Sequence, residues 1–172
     1  MQNIVPVDAG VPGPAADILA AVKQKLGKVP NILATMANAP AAVDAYLAFG
    51  AALDKGVLSA KLREQIALTV AGANECDYCA SAHSFIANSL GVAADEARRN
   101  LFGESADAKT AAILRFARET VQNRASFANG ASVLNELRNA GVNDAEIVEI
   151  IATIAINIFT NYFNHIAGTH VD

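Results

Sequence analysis

Apolar residues recur along this chain at intervals of three and four. Nowhere do they alternate with polar ones between turn signals, as a half-buried strand requires. The first segment, "AADILAAVKQKLG", follows Pro14 and sets Ile18, Leu19, Val22 and Leu26 on one face, with Gly27 placed to end a helix. "VPNILATMANA" over 29–39 predicts a short helix entered through Pro30, and Pro40 opens "AAVDAYLAFGAALDKG", closed by Gly56. Ser59 is an N-cap for "AKLREQIALTVAGAN". That helix has charges at Lys61, Arg63 and Glu64 and then none until Glu75, so its second half is apolar on every side, the pattern of a helix buried all round.

The next helix is predicted to start near Glu75–Asp77, with both acids in a first turn where the helix dipole favours them, and to end at Gly91. "AADEARRNLFG" over 93–103 predicts a short helix. "DAKTAAILRFARETVQNR" from Asp107 predicts a long amphipathic one, with Ile113, Phe116, Ala117 and Val121 inward. "ASVLNELRNAG" follows at 131–141, and Asn143 with Glu146 forms a capping-box start for a last helix over roughly 144–167. Segments 66–73 and 147–159 both read as buried on several sides. A monomer of this size covers two such helices poorly, which points to helix packing across a subunit interface. The expectation is an all-α chain forming a single domain over 1–172, with an N-terminal arm over about 1–27.

Charge and composition narrow the function classes. With 13 Lys and Arg against 17 Asp and Glu, the net charge is −4 and no basic run appears, so nucleic acid is not an expected partner. "MQNIVPVDAGVPGP" lacks the positive n-region and apolar run of a secretory signal. "IVEIIATIAINIF" carries Glu149 and is short for a bilayer, so a core helix is expected and a membrane is not. The predicted location is cytoplasmic. There thiols stay reduced, and a C-x-x-C pair serves catalysis or metal binding rather than structure. No G-x-G-x-x-G follows a strand, so no flavin or nicotinamide cofactor is expected.

Candidate chemistry is concentrated in "NECDYCASAH", which holds both cysteines of the chain. On a helix, Cys76, Cys79 and His83 fall at i, i+3 and i+7 and share a face. Ideal geometry puts the two cysteine Cα atoms about 5 Å apart, within the range a disulfide accepts. His83 lies one turn beyond Cys79, in reach of its proton. The residues by themselves allow a redox dithiol, an open zinc site of two cysteines and one histidine, or packing. A thioredoxin-like setting needs strands, which are absent, and no second C-x-x-C or H-x-x-x-H completes a metal set; His165 and His170 lie near the far terminus. Asn157, Asn161 and Asn164 form a polar stripe on the last helix, read as an inter-helix or inter-subunit hydrogen-bond seam, or as a pocket lining with Tyr162 and His165. Tyr78 and Phe85 read as packing, and Met36, Phe49 and Phe159 as core or pocket wall.

Glu64 stands twelve positions before Cys76, so "LREQIALTVAGANECDYCASAH" reads E-x11-C-x2-C-x3-H. This resembles the core motif of the alkylhydroperoxidase D family within the carboxymuconolactone decarboxylase superfamily. "GKVPNILATMANAPAAVDAYLAFGAAL" and "NIFTNYFNHIAGT" are similar to its peroxidase-related members. The resemblance implies a compact all-α fold, a redox core over about 40–102 and assembly as a homo-oligomer (dimer, trimer or hexamer). It implies a thiol peroxidase that reduces organic hydroperoxides. Cys79 would be the peroxidatic thiol, Cys76 the resolving thiol that yields a Cys76–Cys79 disulfide, and His83 with Glu64 the proton relay. The implied reductant is a dithiol, such as a lipoyl-bearing protein. The characterised peroxidase of that family has a second histidine between its cysteines, where this chain has Tyr78, so the relay here is shorter by one basic group. Two other readings stand beside this one: a redox-switch or stress-associated binding protein with little turnover, and a zinc-binding hydrolase. A lactone decarboxylase is the weaker expectation, since that branch does not rely on a C-x-x-C pair.

Overall fold

The computed structural model describes residues 2–8, 10 and 12–172 and, among them, contains α-helices and no strand. The helices are α1 (Ala16–Leu26), α2 (Asn31–Met36), α3 (Pro40–Leu53), α4 (Ala60–Ala73), α5 (Asp77–Ser89), α6 (Ala94–Leu101), α7 (Ala108–Gln122), α8 (Gly130–Asn139) and α9 (Asp144–Ala167). The helices α4, α5, α7, α8 and α9 each begin at a side chain that accepts an orphan N–H, and α1 and α9 end at a left-handed glycine. Ser59 Oγ accepts from Leu62 N at 3.2 Å, and Asp107 Oδ1 accepts from Thr110 N at 2.8 Å. Asn143 and Glu146 cap α9 reciprocally, at 3.0 and 2.8 Å. Gly27 and Gly168 close α1 and α9 at φ 78° and 62°.

The second half of α4 is the centre of the molecule. Gln65 through Ala71 are all buried, enclosed by α5, α6, α7 and α9. The main core joins Ile66 and Val70 of α4 to Ile113, Leu114, Phe116 and Ala117 of α7, Leu137 of α8, and Ile147, Ile150 and Ile154 of α9. Burying seven consecutive residues is possible because α6 crosses α4 backbone to backbone. Thr69 Oγ1 donates to Asn100 O at 2.6 Å, and a Cβ on Gly72 would collide with Leu101 O. On the other side, the Glu149 carboxylate of α9 accepts from Val57 N at 2.8 Å and Leu58 N at 3.0 Å, fixing the turn that leads into α4. Among the described residues of the N-terminal arm, Leu19 and Val22 are buried, and Val7 N donates to Ala34 O at 2.9 Å.

Several expected inward positions face out. Leu26 is exposed because α1 packs through Ile18, Leu19 and Val22. Phe85, Phe49 and Phe159 are exposed, whereas Met36 is core. The segment 147–159 is not buried all round. Its inner face enters the core, while Val148, Ile151 and Phe159, continued by Tyr162 and Ile166, form an outer apolar stripe. α9 has 24 residues and by length and composition alone is long enough to cross a membrane; here it packs against α3, α4, α5 and α7.

The α4–α6 contact carries a direct test. Gly72→Ala forces Cβ into a carbonyl, which overpacking costs place at about 3 kcal/mol. Gly50→Ala meets nothing nearer than Ile156 Cδ1 at 3.9 Å and is expected to be neutral or to stabilise by about 0.5 kcal/mol through helix propensity. Urea midpoints of the two variants check this; equal midpoints would show that α4 and α6 do not touch at Gly72.

Candidate active site

The site is built on the three-residue junction, Asn74 to Cys76, between α4 and α5. α4 ends at Ala73 with Asn74 as its C-cap. Glu75 then takes the left-handed region at φ 55°. In consequence Glu75 N reaches Gly72 O at 3.3 Å and Cys76 N reaches Ala71 O at 2.9 Å, which satisfies the last carbonyls of α4. A non-glycine residue here costs on the order of 1 kcal/mol. Glu75 therefore lies outside the helix where a first-turn acid was expected, and only Asp77 occupies that turn.

Cys76 also lies outside the helix. It is the N-cap of α5, with extended backbone (φ −92°, ψ 94°), and its Sγ accepts from Cys79 N at 3.4 Å. The expected helical i, i+3 pair is instead an N-cap facing the first turn, because α4 has to be closed before α5 can open. The Cα atoms still lie 5.3 Å apart, and Cys76 and Cys79 are joined as a disulfide. Both residues are buried, at 4% and 3% exposure, against Ala71, Tyr78, Ile32 and Ala80.

One turn after Cys79, His83 Nδ1 lies 2.7 Å from Glu64 Oε2. The two side chains are 21% and 19% exposed, so Glu64 is not the solvated first-turn carboxylate that its position alone suggests. A carboxylate only accepts, which assigns the shared proton to Nδ1 and leaves Nε2 free. Glu64 and His83 line a cavity of about 220 Å³ together with Tyr46, Arg63 and Asn157, with Leu53 and Ile156 as apolar wall. Neither cysteine is among its lining residues. The Glu64–His83 pair thus lines a cavity that the disulfide does not enter. Tyr46, which no sequence motif marks, has its phenol pKa raised, first by burial and then by the nearby Glu64 charge.

The asparagine stripe of α9 divides into three tasks. Asn157 reaches the cavity. Asn161 Oδ1 accepts from Asn74 Nδ2 at 3.0 Å and so holds the end of α4. Asn164 Nδ2 donates to Cys79 Sγ at 3.3 Å. The expected seam is therefore partly a seam and partly a contact to the Cys79 sulfur. His165, distant in sequence, reaches the same junction, with Nε2 2.9 Å from Asn74 O. Tyr162 points outward, more than half exposed. Among the described residues no group of three His, Cys, Asp or Glu side chains lies close enough to hold a metal ion.

Tyr78 does not extend the relay. Its hydroxyl donates to Asp172 Oδ2 at 2.5 Å, and Asp172 Oδ1 in turn accepts from Asn31 N at 2.9 Å. His170 O accepts from Asn31 Nδ2 at 3.1 Å. Burial, then the Asp172 hydrogen bond, pushes the phenol well above its ordinary value of 10.0. The residue in the position of the family's second histidine is a neutral phenol that ties the cysteine loop to α2 and the 168–172 segment.

The carboxymuconolactone decarboxylase family model matches residues 40–123. No curated protein matches the chain. Among solved structures, an uncharacterized peroxidase-related protein from Silicibacter sp. TM1040 is 25% identical with a TM-score of 0.85, covering 99% of this chain and 92% of that one. An alkylhydroperoxidase AhpD core protein from Ralstonia eutropha JMP134, also described as peroxidase-related, is 25% identical with a TM-score of 0.84 over the same shares. A cysteine-to-alanine variant of the debrominase Bmp8, in complex with 2,3,4-tribromopyrrole, shares the fold at 22% identity and a TM-score of 0.82, covering 100% of this chain and 92% of that one.

The Tyr78 latch has a pH signature. A phenol whose folded pKa is raised contributes stability that is complete below the unfolded value, 10.0, and is lost as pH rises through the folded value. Tyr78→Phe is expected to cost about 1 kcal/mol near neutral pH and to lose less further stability above pH 10 than the parent does. Urea unfolding at neutral and alkaline pH checks this, and parallel alkaline limbs would refute the latch.

Proposed function

We propose, on the premise that this chain belongs to the carboxymuconolactone decarboxylase superfamily as an alkylhydroperoxidase D-like protein, that it is a cytoplasmic thiol peroxidase reducing organic hydroperoxides at the expense of a dithiol. The observation that carries this reading is the Cys76–Cys79 disulfide followed one turn later by a histidine held to Glu64 at 2.7 Å.

In the reduced protein, His83 Nε2 takes the Cys79 proton while Glu64 holds Nδ1–H and stabilises the imidazolium. The Cys79 thiolate attacks the terminal peroxide oxygen. An S–O bond forms, the O–O bond breaks, and the departing alkoxide receives the proton from His83 as alcohol. Sulfur has lost two electrons and stands as a sulfenic acid. Cys76 then attacks that sulfur, the S–S bond forms, and the hydroxide leaves with the Cys76 proton as water. Restoring the thiols takes two electrons and two protons from a dithiol, for which a lipoyl-bearing protein is the proposed donor. A redox switch with little turnover is the second reading, favoured by the burial of both sulfurs.

A single-turnover experiment separates the two. The reduced protein receives one equivalent of cumene hydroperoxide and free thiols are counted over time. Loss of both thiols, with alcohol formed stoichiometrically, is expected for the parent; none is expected for Cys79→Ser, and a loss slowed about a hundredfold for His83→Ala. Full reactivity of Cys79→Ser sinks the assignment of Cys79, and an inert parent sinks the peroxidase.

We further propose that the protein is a homo-oligomer joined through α3 and α9. α3 buries only Val43, and its exposed Ala41, Ala45, Ala48 and Phe49 accompany the outer stripe of α9, against which it packs. A contiguous apolar face on two adjoining helices is the signature of an interface. Light scattering is expected to give a multiple of 17.8 kDa, reduced to a monomer by Val148→Glu with Ile166→Glu; a monomeric parent at micromolar concentration refutes it.

A further inference from the structure

Two thiols share one turn of chain, and the helix dipole by itself favours Cys76, the residue nearer the N-terminus of α5. The tertiary contacts oppose that preference. Cys76 Sγ receives only the backbone N–H of Cys79, at 3.4 Å. Cys79 Sγ receives the amide N–H of Asn164 from another helix, at 3.3 Å, and is followed one turn later by His83. Asn164 is 5% exposed, and its Oδ1 is buried with no hydrogen-bond partner among the described residues. A buried amide with an unpaired carbonyl is costly, and the only bond its side chain makes is to the sulfur. Asn164 thus joins α9 to α5 through the sulfur, whereas its neighbour Asn161 holds α9 to the end of α4 through Asn74.

We propose that Asn164 is a catalytic residue of the dithiol site: its side-chain N–H stabilises the Cys79 thiolate and makes Cys79, rather than Cys76, the more acidic and attacking sulfur. The proposal deepens the dithiol reading and rests on it for its use in turnover. The physical effect is independent of any substrate. A hydrogen bond to the charged form of a group lowers its pKa, and one from a buried amide is stronger than the same bond in water. Asn164 is the α9 residue bonded to a cysteine sulfur, so the selection between the two cysteines is made by the last helix of the fold.

The test is a thiol titration that contains no peroxide. The chain has two cysteines, so Cys76→Ser isolates the Cys79 thiol and Cys79→Ser isolates that of Cys76. Thiolate absorbance and the pH dependence of alkylation by iodoacetamide are followed in each background, with Asn164 intact, replaced by Ala, and replaced by the space-filling Leu. The other titratable groups around Cys79 stay in place throughout: His83 and Tyr78 on α5, Glu64 behind His83, His165 on α9 and Asp172 behind Tyr78. With Asn164 intact, Cys79 is expected to titrate below Cys76. Either substitution of Asn164 is expected to raise the Cys79 pKa by about one unit, a tenfold loss of thiolate, and to leave Cys76 where it was. Asn161→Ala is expected to lower stability without moving the Cys79 titration. An unchanged Cys79 titration, or an equal shift of both thiols, overturns the proposal. The Leu variant keeps the test open if the cavity left by Ala unfolds the protein. A parent inert toward hydroperoxide defeats the peroxidase reading and leaves the titration to decide the role of Asn164.

Discussion

Cys76 closes one helix with its backbone and opens the next with its sulfur, and the site depends on that double use. Its N–H satisfies Ala71 O at the end of α4, and its Sγ accepts the Cys79 N–H at the start of α5. Both helices have orphan polar groups at this junction, and the carbonyl of the fully buried Ala71 is satisfied by Cys76 N rather than by water. Two residues, Asn74 and Glu75, make the turn, with Glu75 held left-handed. The cost of that conformation is offset by two closing backbone bonds and by the Asn74 contacts to Asn161 and His165 of α9.

Electrostatics and burial are arranged in a sequence from cavity to sulfur. The cavity presents Tyr46, Glu64, His83 and Asn157, while the sulfurs lie buried in their own small apolar cluster. A base that touches both solvent-accessible space and the turn bearing Cys79 is what proton transfer to or from a buried thiol requires. Tyr78, neutral and turned toward Asp172, takes no part in that sequence and instead secures the loop from behind. The debrominase with the same fold shows that this architecture is compatible with more than one chemistry. The activity is decided by the site rather than by the helices that carry it.

Much of the fold was legible in the sequence, for local reasons. Ser59 and the Asn143–Glu146 pair cap the helices they were expected to cap, because capping involves groups within three residues of one another. The unbroken apolar run after Glu64 marked the all-round burial of α4. The pairing of Glu64 with His83 was legible only through the spacing of the whole motif. The sequence marked α9 as apolar on several sides but not which side faces out, because an apolar stripe looks the same whether it faces the core of its own chain or a surface open in the monomer. Exposed Phe49, Phe85 and Phe159 misled for the same reason.

The sequence by itself determined the helical class, the helix ends and the separation of two thiols and an imidazole along one stretch of chain, since all of these follow from backbone geometry over a few residues. The tertiary structure alone decided that Cys76 is a cap rather than a helical residue, because its N–H is taken by the carbonyl of the buried Ala71 at the end of α4. It also decided that Asn164 meets Cys79 across 85 residues, that Asn161 and His165 meet Asn74, and that Tyr78 turns to Asp172 rather than to Glu64. Side chains so far apart in the chain meet only when the core sets the crossing of α9 over α4 and α5, and no local pattern encodes that crossing.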